Sequence, residues 1–391
     1  MEMKQVATFT NNVVKEVLGE SAVVQEDLSN IVDIGNEIFN ADAFDTYVKT
    51  LINHIGKVVF VNRPYSGSAP SVLMDGWEYG SILEKISSEM PVATENPSWE
   101  LTDGKSYDPN IFNQPKASAK FFNKRTTFEI DRSITERQVK QSFSNGQQLN
   151  AFISMLQNET EKALTVRMDS LIMRTINNMI VETIKADYAE PSNLAASTGV
   201  KAVNLLYLFK QRFGVQELTA DQAITNPDFI RFAAFQIGLY SDRMTRMSTL
   251  FNIGKKQRFT PYDLQHTIYL SEFIRAADVY LQSDTYHDIY TKMKAGETVP
   301  YWQGSGTDYN FTSTGKISAI PSSSEASGKT PIDVGGVLAV IFDRDALGVS
   351  NLDRRVTTQY NAKAEFTNYF YKHDAGYFND LNENFVVFFV A

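Results

Sequence analysis

The spacing of apolar residues changes character along the chain, and each change marks an element. Between residues 147 and 185, Leu149, Phe152, Ile153, Leu156, Ala163, Leu164, Met168, Leu171, Ile172, Met179, Ile180 and Ile184 recur at three- and four-residue steps. Glu159, Glu161, Lys162, Arg167, Asp169, Arg174 and Glu182 largely fill the opposite face, and neither Pro nor Gly interrupts the run. This pattern predicts one amphipathic helix, roughly 58 Å long at 1.5 Å per residue. Its period follows 3.6 residues rather than a sustained heptad, which separates it from a coiled coil. Shorter helical patterns occupy 11–18 and 43–55, the second through Phe44, Val48, Leu51, Ile52 and Ile55, before a β-branched run at 58–61.

Residues 70–131 behave differently. Pro70, Pro91, Pro97, Pro109 and Pro115 break any helical period, and only short strand-like pieces recur, at 81–86, 119–122 and 126–130. A structureless stretch of this length is unusual inside a compact domain. The region predicts an extended β-hairpin arm with a polar tip around Asp103, Gly104 and Lys105. A small independent β-domain is the alternative, but it needs more alternating apolar positions than these to build a core. Thr135 and Glu136 then open an expected short helix through Phe143, ended by Asn145-Gly146.

The middle of the chain, 187–329, predicts a mixed α/β body. Asn226-Pro227-Asp228 caps a helix expected to run to about residue 250. A strand is expected at 266–270, a short helix at 285–293, and Gly/Ser/Thr-rich loop over 301–328. Strand patterns return at 336–343, 356–360, 366–371 and 384–390, and no internal repeat is visible.

Composition narrows the function classes. The chain has 391 residues, 43% of them hydrophobic, with 26 Phe and 18 Tyr, so large apolar area is available for cores and interfaces. Its length exceeds a usual single domain. Lys and Arg number 37 against 46 Asp and Glu, a net charge of −9 that argues against a broad nucleic-acid-gripping face. Cysteine is absent, which excludes disulfides, thiolate nucleophiles and Cys-ligated metals. The longest apolar runs, 337–342 and 385–390, are strand-sized, so no membrane partner is expected. MEMKQVATFTNN carries no apolar secretion core, and the protein is expected to be made in the cytoplasm.

Candidate chemistry is thin. Gly328-Lys329-Thr330 ends like a phosphate-binding loop, but Ser323 stands where its first glycine belongs, and Pro331 follows instead of a helix. Gly304-Ser305-Gly306 is too short for a dinucleotide site. His54, His266, His287 and His373 form no metal-ligand spacing, and no G-x-S-x-G motif occurs. Carboxylate pairs such as Glu272 with Asp278, or Asp343 with Asp345, look like solvated surface. No catalytic, cofactor-binding or metal-binding residue is assigned, and no enzyme is expected. On the arm, Lys116, Lys120, Lys124, Arg125 and Arg132 line the descending side, while Glu78, Glu84, Glu89, Glu95, Glu100 and Asp103 populate the ascending side. A nucleic-acid patch is the alternative, but aromatic interleaving is slight, and complementary charge between neighbouring subunits accounts for both sides together. Trp77, Tyr79, Trp99, Phe112, Phe121 and Phe122 on the same segment have no core of their own. With Lys116, Lys120, Lys124 and Arg125 they are the candidate intersubunit contacts.

The order of elements resembles the Hong Kong 97-like major capsid proteins of tailed bacteriophages. The details look most similar to major head proteins of small short-tailed phages of Gram-positive hosts. The stretches that carry the resemblance are FDTYVKTLINHIGKVVFV at 44–61, EYGSILEK at 78–85, NIFNQPKASAKFFNKRTTFEIDRSITERQVKQSFSNGQQLNAF at 110–152 and YFYKHDAGYFNDLNENFVVFFV at 369–390. The resemblance implies an α+β fold with an N-terminal arm at 1–56 and an extended β-hairpin E-loop at 57–132. It places the P domain with its spine helix at 133–186, mainly A domain at 187–340, and a return to the P domain with a closing β-segment at 341–391. It further implies self-assembly as hexamers and pentamers into an icosahedral shell that encloses weakly contacted double-stranded DNA. A scaffolding protein and a portal are the implied partners, with assembly in the host bacterial cytoplasm. An encapsulin-like nanocompartment shell or another virion structural protein is the alternative. Some members of the family carry a Lys–Asn isopeptide bond; Lys105, Asn351 and Asn361 supply the residue types, but no cross-link is expected.

Overall fold

A computed structural model describes residues 3–18, 70–74, 83–135, 146–188, 194–282, 293–302, 317–320 and 331–391, with isolated positions at 24–25, 30, 33–34, 46, 50 and 137. In chain order the first elements are α1 (Met3–Leu18), β1 (Leu73–Met74), β2 (Leu83–Ser88), β3 (Ala117–Phe122), β4 (Arg125–Thr135) and α2 (Gly146–Asp187). Next come β5 (Ala202–Asn204), α3 (Leu205–Phe213), α4 (Ala220–Ala223), α5 (Pro227–Met244), β6 (Gln265–Leu270) and α6 (Ser271–Gln282). The chain closes with β7 (Glu297–Val299), β8 (Ile317–Ala319), β9 (Ile332–Val334), β10 (Val337–Asp343), β11 (Leu347–Asn361), β12 (Phe366–Asn379) and β13 (Phe385–Phe389). Apart from positions 46, 50, 137 and 293, the helices expected at 43–55, 136–143 and 285–293 lie outside the described residues, as does most of the 301–328 loop.

The core centres on a five-stranded sheet in the order β5-β13-β10-β6-β7. VLAVIFD in β10 and FVVFF in β13 are buried at every position. Side chains alternate faces along a strand, so burial at every position means that both faces of the sheet are covered, and a continuous apolar string is what such a strand requires. The helices α2 and α3 both pack on β13, and α6 packs on β6. The expected division at 340/341 runs through β10, which pairs with β6 on one side and the closing β13 on the other.

A second sheet, β1-β11-β12-β4, holds the long hairpin of β11 and β12. Here one sequence expectation is corrected. The strand at 126–130 is no part of the arm: β4 pairs with β12 over its full length, from Gly376↔Arg125 to Phe366↔Thr135. Phe128 and Ile134 are buried while Thr127, Glu129, Asp131 and Ser133 face solvent, so β4 is a half-buried sheet strand with an apolar side to cover. Thr135 is the last residue of this strand.

The long helix is present as α2, 42 residues and about 63 Å, but its second half departs from a two-faced design. Asp169, Ser170, Thr175, Asn177, Glu182 and Thr183 are buried along with the apolar positions. The helix runs against β4, β5, β8, β11, β12 and β13, so protein covers it on several sides. Buried polar groups need partners. Thr175 Oγ1 and Thr183 Oγ1 donate to the carbonyls of Leu171 and Met179, each at 2.8 Å, and Asn177 Nδ2 donates to the carbonyl of Trp302.

Helix α5 starts as the sequence requires, with Asn226 Oδ1 accepting from the Phe229 amide at 3.0 Å and Pro at its first turn. It ends at Met244, short of the expected 250, because residue 248 bridges back to Arg258 and its amide bonds the Arg258 carbonyl.

Candidate assembly surface

The β2 and β3 strands pair antiparallel from Leu83↔Phe122 to Ser88↔Ala117, and the Glu89 amide closes the hairpin onto the Lys116 carbonyl at 2.8 Å. Every described side chain from Ser88 to Ala119 is exposed. Local turns, not a core, shape this projection. Asn96 and Asp108 each accept from an amide two residues ahead, Lys105 N–H donates to the Thr102 carbonyl at 3.2 Å, and Gly104 takes φ +79° at the tip.

The outer part of the arm is both greasy and acidic. Trp99 is 95% exposed and Phe112 83%, Met90, Val92, Leu101 and Ile111 are also exposed, and nearer the base Phe121 is 61% exposed. Glu89, Glu95, Glu100, Asp103 and Asp108 outnumber Lys105 and Lys116 over the same stretch. Exposed apolar area concentrated on one segment marks an interaction surface rather than random surface composition.

The base of the arm is anchored within the subunit. Phe122 is buried against Phe378 with ring centroids 5.1 Å apart, and Lys120 Nζ sits 5.3 Å over the Phe122 ring. Lys120 Nζ reaches Asp380 Oδ1 at 2.9 Å; Lys85 Nζ reaches Asp380 Oδ2 at 3.0 Å and Glu383 Oε1 at 2.7 Å. Arg258 Nε also binds Glu383 Oε1 at 3.2 Å, and Lys256 Nζ meets Glu89 at 3.0 Å. Burial alone would raise the Asp380 carboxyl, but the Lys120 hydrogen bond and the Lys85 charge hold it below the ordinary carboxylate value. Burial would lower the Lys85 ammonium; its bond to Glu383 and the two carboxylate charges reverse this and hold it above its ordinary value. A cleft of about 700 Å³ opens beside this base, lined by Lys120, Lys124, Arg174, Asn177, Tyr377 and Asn379 among others.

The candidate contacts therefore divide. Trp99, Phe112 and Phe121 stand free on the arm, and Trp77 and Tyr79 lie outside the described residues. Phe122 and Lys120 are engaged by their own chain, where a neighbour was expected to meet them. The Lys116 side chain is exposed on the arm, Lys124 lines the cleft, and Arg125 opens β4 opposite Gly376. Asp380 and Glu383, which organise the base, carry no sequence signal: each lies more than two hundred residues from its lysine partners.

Comparison with known proteins decides what the arm belongs to. The family described as Phi29-like phage major capsid protein matches residues 10–389.

The chain belongs to that family.

A capsid protein's task is structural, and the family points to a non-enzymatic role in the virion. No curated protein matches the chain. Among solved structures, a chain in the structure of head fiber and inner core protein gp22 of native bacteriophage P68 superposes with TM-score 0.50 at 6% identity. That match covers 85% of this chain and 86% of the other, and shows a shared fold. A chain in the capsid structure of Staphylococcus phage Andhra gives TM-score 0.49 at 10% identity, over 84% and 86% of the two chains. The α+β fold of this phage major capsid protein is the Hong Kong 97-like one that its order of elements implied.

Proposed function

We propose that this major capsid protein closes as hexamers and pentamers into an icosahedral shell around double-stranded DNA, with the projecting β2–β3 hairpin serving as the E-loop that lies over a neighbouring subunit. The observation that carries this reading is the arm itself: 88–119 exposes large aromatic and aliphatic side chains, among them Trp99, Ile111 and Phe112, that the described residues leave open. A head-to-tail contact of this kind closes a ring when the rotation fits, and leaves a complementary surface on every copy. The arm adds apolar burial to the contact without enlarging either core. Trp99, Phe112, Phe121 and Lys116 are its contact residues in this reading. Net charge of −9 suits a wall that lets packaged DNA slide, because few phosphates are neutralised. A scaffolding protein and a portal complete the assembly in the bacterial cytoplasm, with a Gram-positive host.

Electron microscopy of the purified full-length protein, alone and co-expressed with a scaffold, tests this. Closed particles with five- and six-fold capsomers are expected. A monodisperse monomer under all conditions overturns the proposal.

A further inference from the structure

Lys85 and Lys120 stand directly opposite each other in the β2–β3 register. Like charges across a strand pair repel, so the hairpin alone disfavours this arrangement. Alternation places Leu83, Lys85 and Ser87 with Lys120 and Phe122 on the less exposed side, toward the body. There Asp380 takes one lysine on each carboxylate oxygen, and Glu383 takes a second bond from Lys85. Asp380 is only 2% exposed; without the two cations it is a buried, uncompensated charge. The hairpin and the carboxylates thus each need the other.

The turn that carries these carboxylates is tied down on three sides. Its Asp380 amide donates to the Ala346 carbonyl at 2.7 Å, its Leu381 carbonyl accepts from Gly254 at 2.8 Å, and Glu383 binds Arg258. Immediately after it, the Phe385 amide donates to Phe251 at 2.9 Å and the chain enters the central sheet. An arm held from one strand can rotate about that strand. An arm held from both, with Phe122 against Phe378 as a third point, has a fixed direction.

We infer that the turn at 380–383 is an ionic seat that sets the direction in which the arm leaves the subunit, with Lys85 and Lys120 as positioning residues for assembly. The inference rests on the proposed role of the arm in shell closure, but the seat itself is read on the subunit without any shell. The partner chemistry is two ammonium groups from opposing strands on one buried carboxylate, a geometry that a single surface ion pair does not impose.

Hydrogen exchange by mass spectrometry on the full-length protein tests the seat directly, and microscopy of the same samples tests its consequence. Lys120→Met, and the double variant with Lys85→Met, should raise amide exchange in 83–88 and 117–122 about tenfold, with β10 and β13 keeping wild-type protection. Lys120→Arg, which keeps a donor for Asp380, should restore slow exchange. The loosened variants should give open sheets or particles of mixed diameter where the wild type closes uniformly. Unchanged hairpin exchange in the double variant overturns the seat. Faster exchange with particles of wild-type size and yield overturns its positioning role. Lys120 has a side chain 40% exposed, so its single substitution keeps the test readable if the double variant unfolds. If the wild type forms no shell, the proposed function fails while the exchange result still decides the seat.

Discussion

Arg354 donates its Nε–H to Nδ1 of His373 at 3.0 Å, across directly paired positions of β11 and β12. The other ring nitrogen, Nε2, lies 3.1 Å from Asn351 Oδ1. An Nδ1 that accepts leaves Nε2 to carry the proton and donate, which fixes one neutral tautomer. Burial first, and the Arg354 charge second, push the His373 imidazole down to about 4, against weaker opposing pulls from Asp374 and Asp353.

Acid should therefore loosen this hairpin before it reaches the carboxylates. Above pH 6.5 His373 is neutral in both folded and unfolded chains and contributes no pH dependence. As pH falls from 6.5 toward 4, the unfolded chain takes up a proton that the folded one refuses. The loss is on the order of 3 kcal/mol by pH 4 at about 1.4 kcal/mol per unit. Urea unfolding between pH 7 and pH 4 measures it. His266, also held below its ordinary value first by burial, adds a slope of the same sign. His373→Gln should therefore flatten the profile in part, and an unchanged profile in that variant removes His373 as a cause.

The long helix gives a sharper test of packing. Leu171 is fully buried in α2 among the main core residues. Leu171→Ala should cost about 2–5 kcal/mol through lost burial and the cavity left behind, and Leu171→Asp should prevent folding because its charge has no partner there. Val166, on the same helix but half-exposed, should tolerate Ala within about 0.5 kcal/mol. Thermal melts of the three variants check the contrast.

How far the sequence disclosed this structure depended on whether a signal was local. The cap at Asn226-Pro227, the unbroken run of α2 and the apolar strings of β10 and β13 are each written in neighbouring residues, and each element starts where its pattern put it, to within a residue. Helix α3 was missed because β5 runs into it at Leu205 with no breaker, Asn204 serving at once as strand end and helix cap. The buried polar side of α2 was unreadable for another reason. Asp169 and Glu182 have the composition of a solvated face, and only the sheets packed around them put them inside. On the arm, the exposed aromatics were legible from their lack of a core. Lys120 and Phe122 looked equally free because Asp380 and Phe378 reach them only through the fold.

Gly336 and Gly335 form a matched pair for backbone strain. Gly336 has φ +68°, and a Cβ there would lie 2.1 Å from the Val390 carbonyl oxygen. That segment cannot retreat freely, since the Val390 amide donates to the Gly336 carbonyl at 2.9 Å as β10 meets the closing strand. Gly336→Ala should cost on the order of 3 kcal/mol from the left-handed backbone together with the clash. At Gly335 an added Cβ meets nothing within 4 Å, so Gly335→Ala should be neutral to within about 0.5 kcal/mol. Equal melting points for the two variants would reject this account.

Removal of the outer arm separates folding from assembly. A deletion of the whole 70–131 region would take β1 and most of β4 out of their sheet and could not distinguish the two. Replacing residues 90–115 with a short Gly-rich turn is cleaner. It keeps the Glu89–Lys116 closure, the lysines on Asp380 and the packing of Phe122, and it discards side chains that touch solvent. The shortened subunit should melt within a few degrees of the full one, since no buried area is lost, yet form no closed shell. Trp99 supplies an independent readout on the intact chain. At 95% exposure its fluorescence should be solvent-like in free subunits and shift to the blue on assembly, when a neighbour covers it. Trp99→Ala should then slow shell formation while leaving subunit stability unchanged, because the ring contributes burial only in the assembled state. Normal shells from the shortened chain would show that closure depends on the body surfaces and not on the arm.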